Sequence, residues 1–341
     1  RAVEALPELL SVGTTEWEIQ QNKEMFRKDR GHENLARRLE YFFSIYGGTG
    51  EADQTAFMKE LLKALTAACT DCHGAGFTVM RDRAALQHGL HDLLNGKFGD
   101  EELTDLAIEF VQSVHKVLIA LVRDAPPDDD MSSEIEMLAA LAEAKGKDVR
   151  NSMVEHYAIS VVLPKIRISP TAKCTSNELM AIARLLNALA TDNEWAIRWM
   201  LDQRVTHLLI TCRARYTTDW LSLENQHNRD SHAFHCASLV AKLVSPGGAK
   251  ASPDMRAQIE LVSPVILTFL AGWLNSMLND VYHVKAMVAK AVFKLTYKGR
   301  NKAQFLMHDE MMKAIVKLLG KLRPVDEDAD FETASYLMEA L

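Results

Sequence analysis

One arrangement of helices and breaks recurs along the chain, and it constrains the fold more than any single motif does. Apolar residues recur three and four positions apart almost throughout, which indicates helices, and no alternating run of strand length interrupts them. Segments beginning at Leu138, Ala183 and Val288 share one layout: a helix, a short polar break, a one-turn apolar helix, a second break and another apolar helix. The sequence therefore predicts an all-α fold built from repeats.

Equivalent leucines give the length of the repeat. Leu141, Leu189, Leu243 and Leu295 are separated by 48, 54 and 52 residues. A helical unit of this size cannot bury its apolar side alone and stacks on its neighbours. The pattern of helix sizes and breaks over residues 57–322 resembles the armadillo/HEAT class of helical repeats. That resemblance implies a right-handed α-solenoid, an α–α superhelix that binds proteins along its surface.

The same patterns predict how the chain is organised. Residues 1–50 are expected to form a helical cap or an atypical first repeat, because Gly31 interrupts a helical stretch at residues 24–46. Residues 51–322 are expected to form the repeat array. Residues 323–341 are expected to begin a further, truncated helix, because the apolar side of residues 331–341 has nothing after it to cover it.

Importin-type armadillo proteins bind peptides through asparagines on the third helix of each repeat, and this chain departs from that pattern. Asn187 falls near the required position. The alignment of leucines places Lys63, Ala139, Ala241 and Phe293 at the equivalent positions of the other repeats. The missing asparagine ladder argues against importin-like recognition of nuclear-localisation peptides.

Composition excludes several classes of function. A net charge of −7 gives no reason to expect a nucleic-acid partner, because phosphate neutralisation needs clustered Lys and Arg. The weakly polar residues 261–274 contain Pro264 and are shorter than the roughly 20 residues that cross a bilayer, so no membrane insertion is expected. Five scattered cysteines favour a reducing cytoplasmic or nuclear setting. The chain opens with Arg1 and shows no signal-peptide pattern, so we expect a fragment of a longer protein.

The stretch Cys69-Thr-Asp-Cys72-His73 matches the C-x-x-C-H pattern of covalent haem attachment. The alternative is that residues 61–70 form a repeat helix, with Cys69 at a small apolar position and residues 74–76 as the break that follows. A haem would displace the packing of stacked helices, so we favour the helix-end interpretation and predict no cofactor. A two-cysteine redox or metal role is a further alternative.

A second cluster, residues 227–236, contains four potential zinc ligands. On a helix beginning near Ser231, His232 and Cys236 would be four residues apart and share a face, which suits two ligands. A closed zinc site needs four ligands, and no paired Cys or His motif elsewhere supplies the others. We therefore expect no metal site, with His232 and His235 facing solvent and Cys236 packed inward.

The chain carries no recognised catalytic motif for phosphate binding, nucleophilic hydrolysis or metalloproteolysis, so it is predicted not to be an enzyme. Candidate partner-binding residues come from two groups. Aromatic and arginine side chains dominate binding hot spots, and Trp199 is expected to be in the core like Phe305. Lysines four residues apart form one stripe on a helix that would attract an acidic segment. The candidates are Trp220, Tyr216, Arg213, Arg215, Lys290, Lys294 and Lys298.

These observations favour a protein-interaction scaffold with one or more protein partners, and they leave its oligomeric state open. Two alternatives rest on resemblance. Residues 236–319 are loosely similar to the helical regions that flank the catalytic domain in very large ubiquitin-specific proteases, which implies a regulatory role in the ubiquitin pathway. The architecture also resembles armadillo-type chaperones of myosin and dynein assembly. A haem or zinc protein using Cys69, Cys72 and His73, or His232 and Cys236, is the remote third alternative.

Overall fold

The computed structural model describes most of the chain, and every regular element in the described residues is an α-helix. No helix among these residues combines the length and the apolar character needed to cross a membrane. The described residues are 3–12, 15–45, 52–81, 83–126, 129–166, 174–215, 226–244, 253–276, 282–296, 303, 305–320 and 328–341.

The chain divides into two compact units, Arg1–Val161 and Val162–Leu341. The predicted divisions near residues 50 and 322 stay predictions. The helices of the first unit are α1 Leu6–Ser11, α2 Glu16–Lys28, α3 Gly31–Ile45, α4 Ala52–Cys69, α5 His73–Met80, α6 Ala84–Leu94, α7 Glu101–Asp124, α8 Ser132–Ala144 and α9 Lys147–Glu155. The boundary between the units falls within α10, Ala158–Ile166.

The second unit continues with helices of the same kind. They are α11 Ser176–Leu189, α12 Glu194–Asp202, α13 Val205–Arg215, α14 Gln226–Val244, α15 Pro253–Ser276, α16 Tyr282–Thr296, α17 Asp309–Leu319 and α18 Asp328–Ala340.

Short polar sequences set where several helices begin. The Thr15 side chain accepts from the Glu18 backbone N–H while the Glu18 carboxylate accepts from the Thr15 N–H, a capping box that starts α2. Asp100 caps α7 in the same way by accepting from the Leu103 N–H. The break before Gly31 is confirmed, because Asp29 and Arg30 separate α2 from α3 and Arg30 has a positive φ of 56°.

Two layers of helices build the first unit. Helix α4 packs against α1 and α7 in one layer, and α6 packs against α3 and α8 in the other. The layers meet where α3 contacts α4 and where α7 contacts α6 and α8. Fully buried residues between them include Leu39, Leu65, Leu90 and Phe110. Burying both layers against each other is how stacked helical repeats form a continuous core.

The second unit repeats this two-layer arrangement. One layer contains α11, α14, α16 and α18, each packed on the next, and the other contains α13, α15 and α17. The predicted equivalence of Leu189, Leu243 and Leu295 is consistent with their positions, because each lies at the end of a helix of the first of these layers and is buried. We call this layer the ladder layer.

Three details of the sequence prediction were wrong. Residues 74–76 are not a break: they lie within α5, and the break is at residues 70–72. The helix expected near Ser231 begins at Gln226. Trp199 is half-exposed rather than a core residue, because the buried positions on α12 are taken by Ala196, Ile197, Met200 and Leu201.

Candidate functional site

The Cys69–His73 motif spans a helix end, as the favoured interpretation requires. Cys69 is the last residue of α4, and His73 is the first residue of α5. Both cysteines are free and buried, while His73 is exposed. Burial raises the pKa of the Cys69 thiol to about 12, so this sulfur is not a thiolate at neutral pH. Such a thiol packs as a small apolar group instead of reacting.

The same motif lines a cleft of about 750 Å³ in the first unit, which the sequence did not predict. The opposite wall comes from α7 and α9. There His115 Nδ1 lies 2.6 Å from the Gln112 carbonyl oxygen, so Nδ1 carries the hydrogen and Nε2 points to the Ser152 hydroxyl at 3.5 Å. Burial lowers the pKa of His115, which favours the neutral ring. The cleft is thus lined by hydroxyls, charged side chains and a neutral imidazole, while the thiols of Cys69 and Cys72 are buried.

The second predicted cluster is a packing contact. His232 and Cys236 share a face of α14, with the Cys236 sulfur 3.4 Å from His232 Nε2, and both side chains are buried. The expectation that His232 faces solvent was therefore wrong. His235 is half-buried and contacts Asn187 Nδ2 through Nδ1 at 3.2 Å. Within the described ranges, no three His, Cys, Asp or Glu side chains are grouped to hold a metal ion.

The ladder layer shows one register across successive helices. Three buried positions recur with the same spacing: His232, Cys236 and Leu239 on α14; Val284, Val288 and Ala291 on α16; and Thr333, Leu337 and Ala340 on α18. These triplets align the helices residue by residue. By this alignment, His235, Met287 and Tyr336 are equivalent, and so are Ala241 and Phe293.

This register brings Asn187 into contact with the next helix of the ladder layer. Its amide meets His235, and its backbone carbonyl oxygen accepts from the Lys242 ammonium at 2.8 Å. Lys242 also donates to the Thr191 hydroxyl at 2.8 Å. Asn187 is only 7% exposed. Asn187 lies near the position of the peptide-binding asparagines in importin-type proteins, but in this chain it joins α11 to α14.

At the corresponding junction between α16 and α18, the polar pair is replaced by two aromatic rings. Phe293 stacks on Tyr336 with ring centroids 5.8 Å apart and an interplanar angle of 28°. The Lys294 ammonium lies 5.9 Å from the centroid of the Phe293 ring, within the range of a cation–π contact. All three side chains are half-buried, which leaves part of each available to a partner.

Lys290 completes this site, one helical turn before Lys294. Lys290 and Lys294 are both half-exposed on the same face of α16. Tyr336 also has a hydrogen bond with Glu332, and burial together with this bond raises the pKa of the Tyr336 hydroxyl. We define the ladder surface as Lys290, Phe293, Lys294 and Tyr336.

The structure describes only some of the predicted partner-binding residues. Lys290 and Lys294 lie on the ladder surface. Tyr216, Trp220 and Lys298 are outside the described residues. Arg213 and Arg215 fall in the last turn of α13, where only the helical backbone is described. Trp195, from the same aromatic group, is 50% exposed on α12.

The sequence missed the two aromatic members of this site. The leucine alignment placed Phe293 at the asparagine position, where the sequence showed only a departure from the importin-type ladder. Its partner Tyr336 lies in a later repeat. Because the repeats differ in length, a fixed repeat length could not predict which residue would face Phe293.

Comparison with solved structures places the fold. No protein-family model matches the sequence, and no curated protein is significantly similar to it. Designed armadillo repeat protein YIII(Dq)4CqI matches with a TM-score of 0.53 at 15% identity, covering 78% of this chain and 97% of that chain. Designed armadillo repeat protein YIII(Dq.V1)4CPAF, in complex with the peptide (KR)4, matches with a TM-score of 0.51 at 15% identity, covering 78% and 96%.

Importin beta, crystallised in an ammonium sulfate condition, matches with a TM-score of 0.50 at 12% identity, covering 99% of this chain and 42% of importin beta. At these identities the likeness concerns the fold alone. Together with the two-layer helix packing, it shows that this chain is an all-α solenoid of the armadillo/HEAT type.

Proposed function

We propose that this chain is a non-enzymatic scaffold whose ladder surface binds an acidic segment of a partner protein. The observation that carries the proposal is the Phe293–Tyr336 stack beside the Lys294 ammonium. Aromatic rings that are already held in place bind a partner at a low entropic cost, because little side-chain freedom remains to be lost. Aromatic and cationic groups of this kind are typical of binding hot spots.

The charge of α16 supports an acidic partner. Lys290 and Lys294 are half-exposed on one face, and neither has a salt bridge to a carboxylate within the part of the chain that the structure describes. A partner carboxylate placed over this turn would gain two ammonium contacts and steer the approach of the segment. The adjacent rings would accept an apolar side chain next to that carboxylate.

The peptide complex among the similar structures supports the same mode of binding. That designed protein holds (KR)4, a basic peptide. If this chain uses the equivalent architecture with lysines on its surface, the charge of the preferred peptide is reversed. We therefore expect a segment that combines Asp or Glu with an aromatic or aliphatic residue.

A selection experiment tests this proposal. The protein is immobilised and used to select from a random twelve-residue peptide library displayed on phage. We expect enriched peptides to contain acidic residues flanking an apolar one, and to bind Lys290→Ala/Lys294→Ala at least about tenfold more weakly, as loss of a hot spot implies.

The matched control is Lys313→Ala/Lys317→Ala. These two lysines are also one turn apart and exposed, but they lie on α17, in the other layer. The control should bind the selected peptides like the wild type. Enrichment without acidic residues, or equal weakening by both double variants, would contradict the proposal.

A further inference from the structure

Four hydroxyl side chains line the cleft beside Cys69, and they differ in where their hydrogens point. Three of them donate to backbone carbonyl oxygens: Thr66 to Leu62 at 2.9 Å, Thr70 to Thr66 at 2.7 Å, and Ser113 to Phe110 at 2.7 Å. The fourth is Ser152 on α9, whose hydroxyl oxygen lies 3.5 Å from Nε2 of His115 on α7. Among the described residues of this cleft, Ser152 is thus the hydroxyl whose hydrogen meets a base.

The imidazole of His115 is held in the orientation that a general base needs. Its Nδ1–H donates to the Gln112 carbonyl oxygen at 2.6 Å, which leaves the lone pair of Nε2 facing Ser152. The separation of 3.5 Å is at the long end for a hydrogen bond, as is common before a reactant is bound. A nucleophile, a base beside it and a third group that orients the base together activate serine for covalent chemistry.

The surroundings of His115 keep its ring neutral. Burial lowers the pKa of His115 most, and the neighbouring His156 and Lys116 lower it further, although the hydrogen bond to Gln112 opposes them. The other charged or titratable side chains that line the cleft, apart from the two cysteines, are Asp71, His73, Glu109 and Lys145. The carboxylates and the ammonium groups of this set balance in charge, so they do not favour a protonated ring. The ring can therefore accept a proton at neutral pH.

We propose that Ser152 is a site of covalent acylation by an activated ester or thioester, with His115 as its general base. The Ser152 oxygen forms a bond to the carbonyl carbon of the donor, and the hydroxyl proton moves to Nε2 of His115. The bond between that carbon and the donor's oxygen or sulfur then breaks, and His115 returns the proton to the departing alkoxide or thiolate. Lys116 and Lys145 line the same cleft and place cationic groups near the developing oxyanion.

The product is an ester on Ser152, so the reaction modifies the chain itself. Ser152 and His115 are both half-buried, and the cleft of about 750 Å³ leaves room beside them for a small acyl donor. The site is independent of the ladder surface, because Ser152 and His115 lie in the first unit and the ladder surface lies in the second.

Acetyl transfer from p-nitrophenyl acetate, an activated ester, tests the proposal on the intact chain. The protein is mixed with an excess of the ester, quenched with acid at intervals and digested, and mass spectrometry measures the acetylation of each side chain. We expect Ser152 to be acetylated at least about tenfold faster than Ser113, because only Ser152 has a general base beside it. This comparison is made within the wild type and needs no variant.

Variants and pH then test the role of His115. His115→Gln removes the base and should slow the acetylation of Ser152 at least about tenfold. The matched control is Ser113→Ala, which changes another hydroxyl of the same cleft and should leave the rate at Ser152 unchanged. Melting temperatures show whether both variants keep the fold. In the wild type, the rate at Ser152 should rise with pH to a plateau, with a midpoint below 6.5, because only neutral His115 accepts the proton.

Three results would overturn the proposal. The first is acetylation of Ser152 that is no faster than that of Ser113. The second is a folded His115→Gln variant that is acetylated at Ser152 at the wild-type rate. The third is a rate at Ser152 that shows no plateau and keeps rising with pH, as for a hydroxyl that no base assists.

Discussion

Phe293 on α16 and Tyr336 on α18 stack at the same register position where Asn187 on α11 meets His235 on α14. The same position of the repeat therefore joins α11 to α14 through a polar pair, and α16 to α18 through two aromatic rings. The polar pair is largely buried at Asn187, whereas both rings are partly open. This difference is why we assign the proposed binding to the aromatic junction.

The stack should also couple α16 to α18 energetically. Offset aromatic pairs contribute about 0.5–1.5 kcal/mol beyond the area that they bury. We predict a coupling energy of this size in a double-mutant cycle of Phe293→Ala and Tyr336→Ala, measured by urea unfolding. Strictly additive effects would show that the two rings do not interact.

Two helical glycines should respond in opposite ways to the same substitution. A Cβ at Gly89 on α6 would overlap the Phe43 ring, whereas a Cβ at Gly272 on α15 meets nothing within 4 Å. Gly89→Ala should cost about 1–3 kcal/mol through overpacking, and Gly272→Ala should stabilise by about 0.5–1 kcal/mol through helix propensity. Thermal unfolding of both variants measures the difference. Equal shifts would mean that the ring does not pack on Gly89.

A buried ion pair links α10 to α11. Lys165 Nζ lies 3.2 Å from a Glu178 carboxylate oxygen, with both side chains almost inaccessible to solvent. Lys165→Ala would leave the carboxylate buried without this cation, at a cost of about 3–5 kcal/mol. Replacing both partners, as Lys165→Met/Glu178→Leu, should cost much less because no charge remains to be buried. Urea unfolding distinguishes the two variants, and a double variant as unstable as the single one would contradict this account.

His32 should make stability depend on pH. The ring is 1% exposed, and neither ring nitrogen has a hydrogen-bond partner among the residues that the structure describes. Burial lowers the pKa of His32 below its ordinary value of 6.5. Protonation therefore favours the unfolded chain, so the stabilisation is present above pH 6.5 and is lost as pH falls toward the folded pKa.

We expect the urea midpoint to fall between about pH 7.5 and 5, and His32→Leu to flatten that dependence. His73→Leu is the matched control, because His73 is exposed. An unchanged slope in His32→Leu would assign the pH dependence to other groups.

How much the sequence could predict depends on how local the signal was. Helical spacing and the leucine register predicted the all-α repeat fold, because each repeat buries the same positions, as with Leu189 and Leu295. The sequence also predicted a helix that ends at Thr70, one residue beyond the observed end of α4 at Cys69, although it placed the following break at residues 74–76 instead of 70–72. The sequence prediction failed for His232, because the burial of that position depends on neighbouring helices and not on the polarity of the residue. His232 is equivalent to Val284 in the next helix of the ladder layer, and both side chains are buried.

The candidate site was predicted in part for the same reason. Lysines four residues apart mark one face of a single helix, so Lys290 and Lys294 could be found from spacing. The stack of Phe293 on Tyr336 joins two helices from repeats of unequal length. It could be found only from the alignment of buried positions in the folded structure. The cleft beside Cys69 is likewise formed by helices far apart in sequence.

The central claim is that the lysines of the ladder surface select an acidic partner segment, and a charge exchange tests it most directly. An acidic peptide obtained by selection, and a copy with every Asp and Glu replaced by Lys, are titrated against the wild type, Lys290→Glu/Lys294→Glu and Lys313→Glu/Lys317→Glu. The account predicts that Lys290→Glu/Lys294→Glu loses the acidic peptide and gains the basic one, while Lys313→Glu/Lys317→Glu behaves like the wild type. Retained binding of the acidic peptide by Lys290→Glu/Lys294→Glu would contradict it.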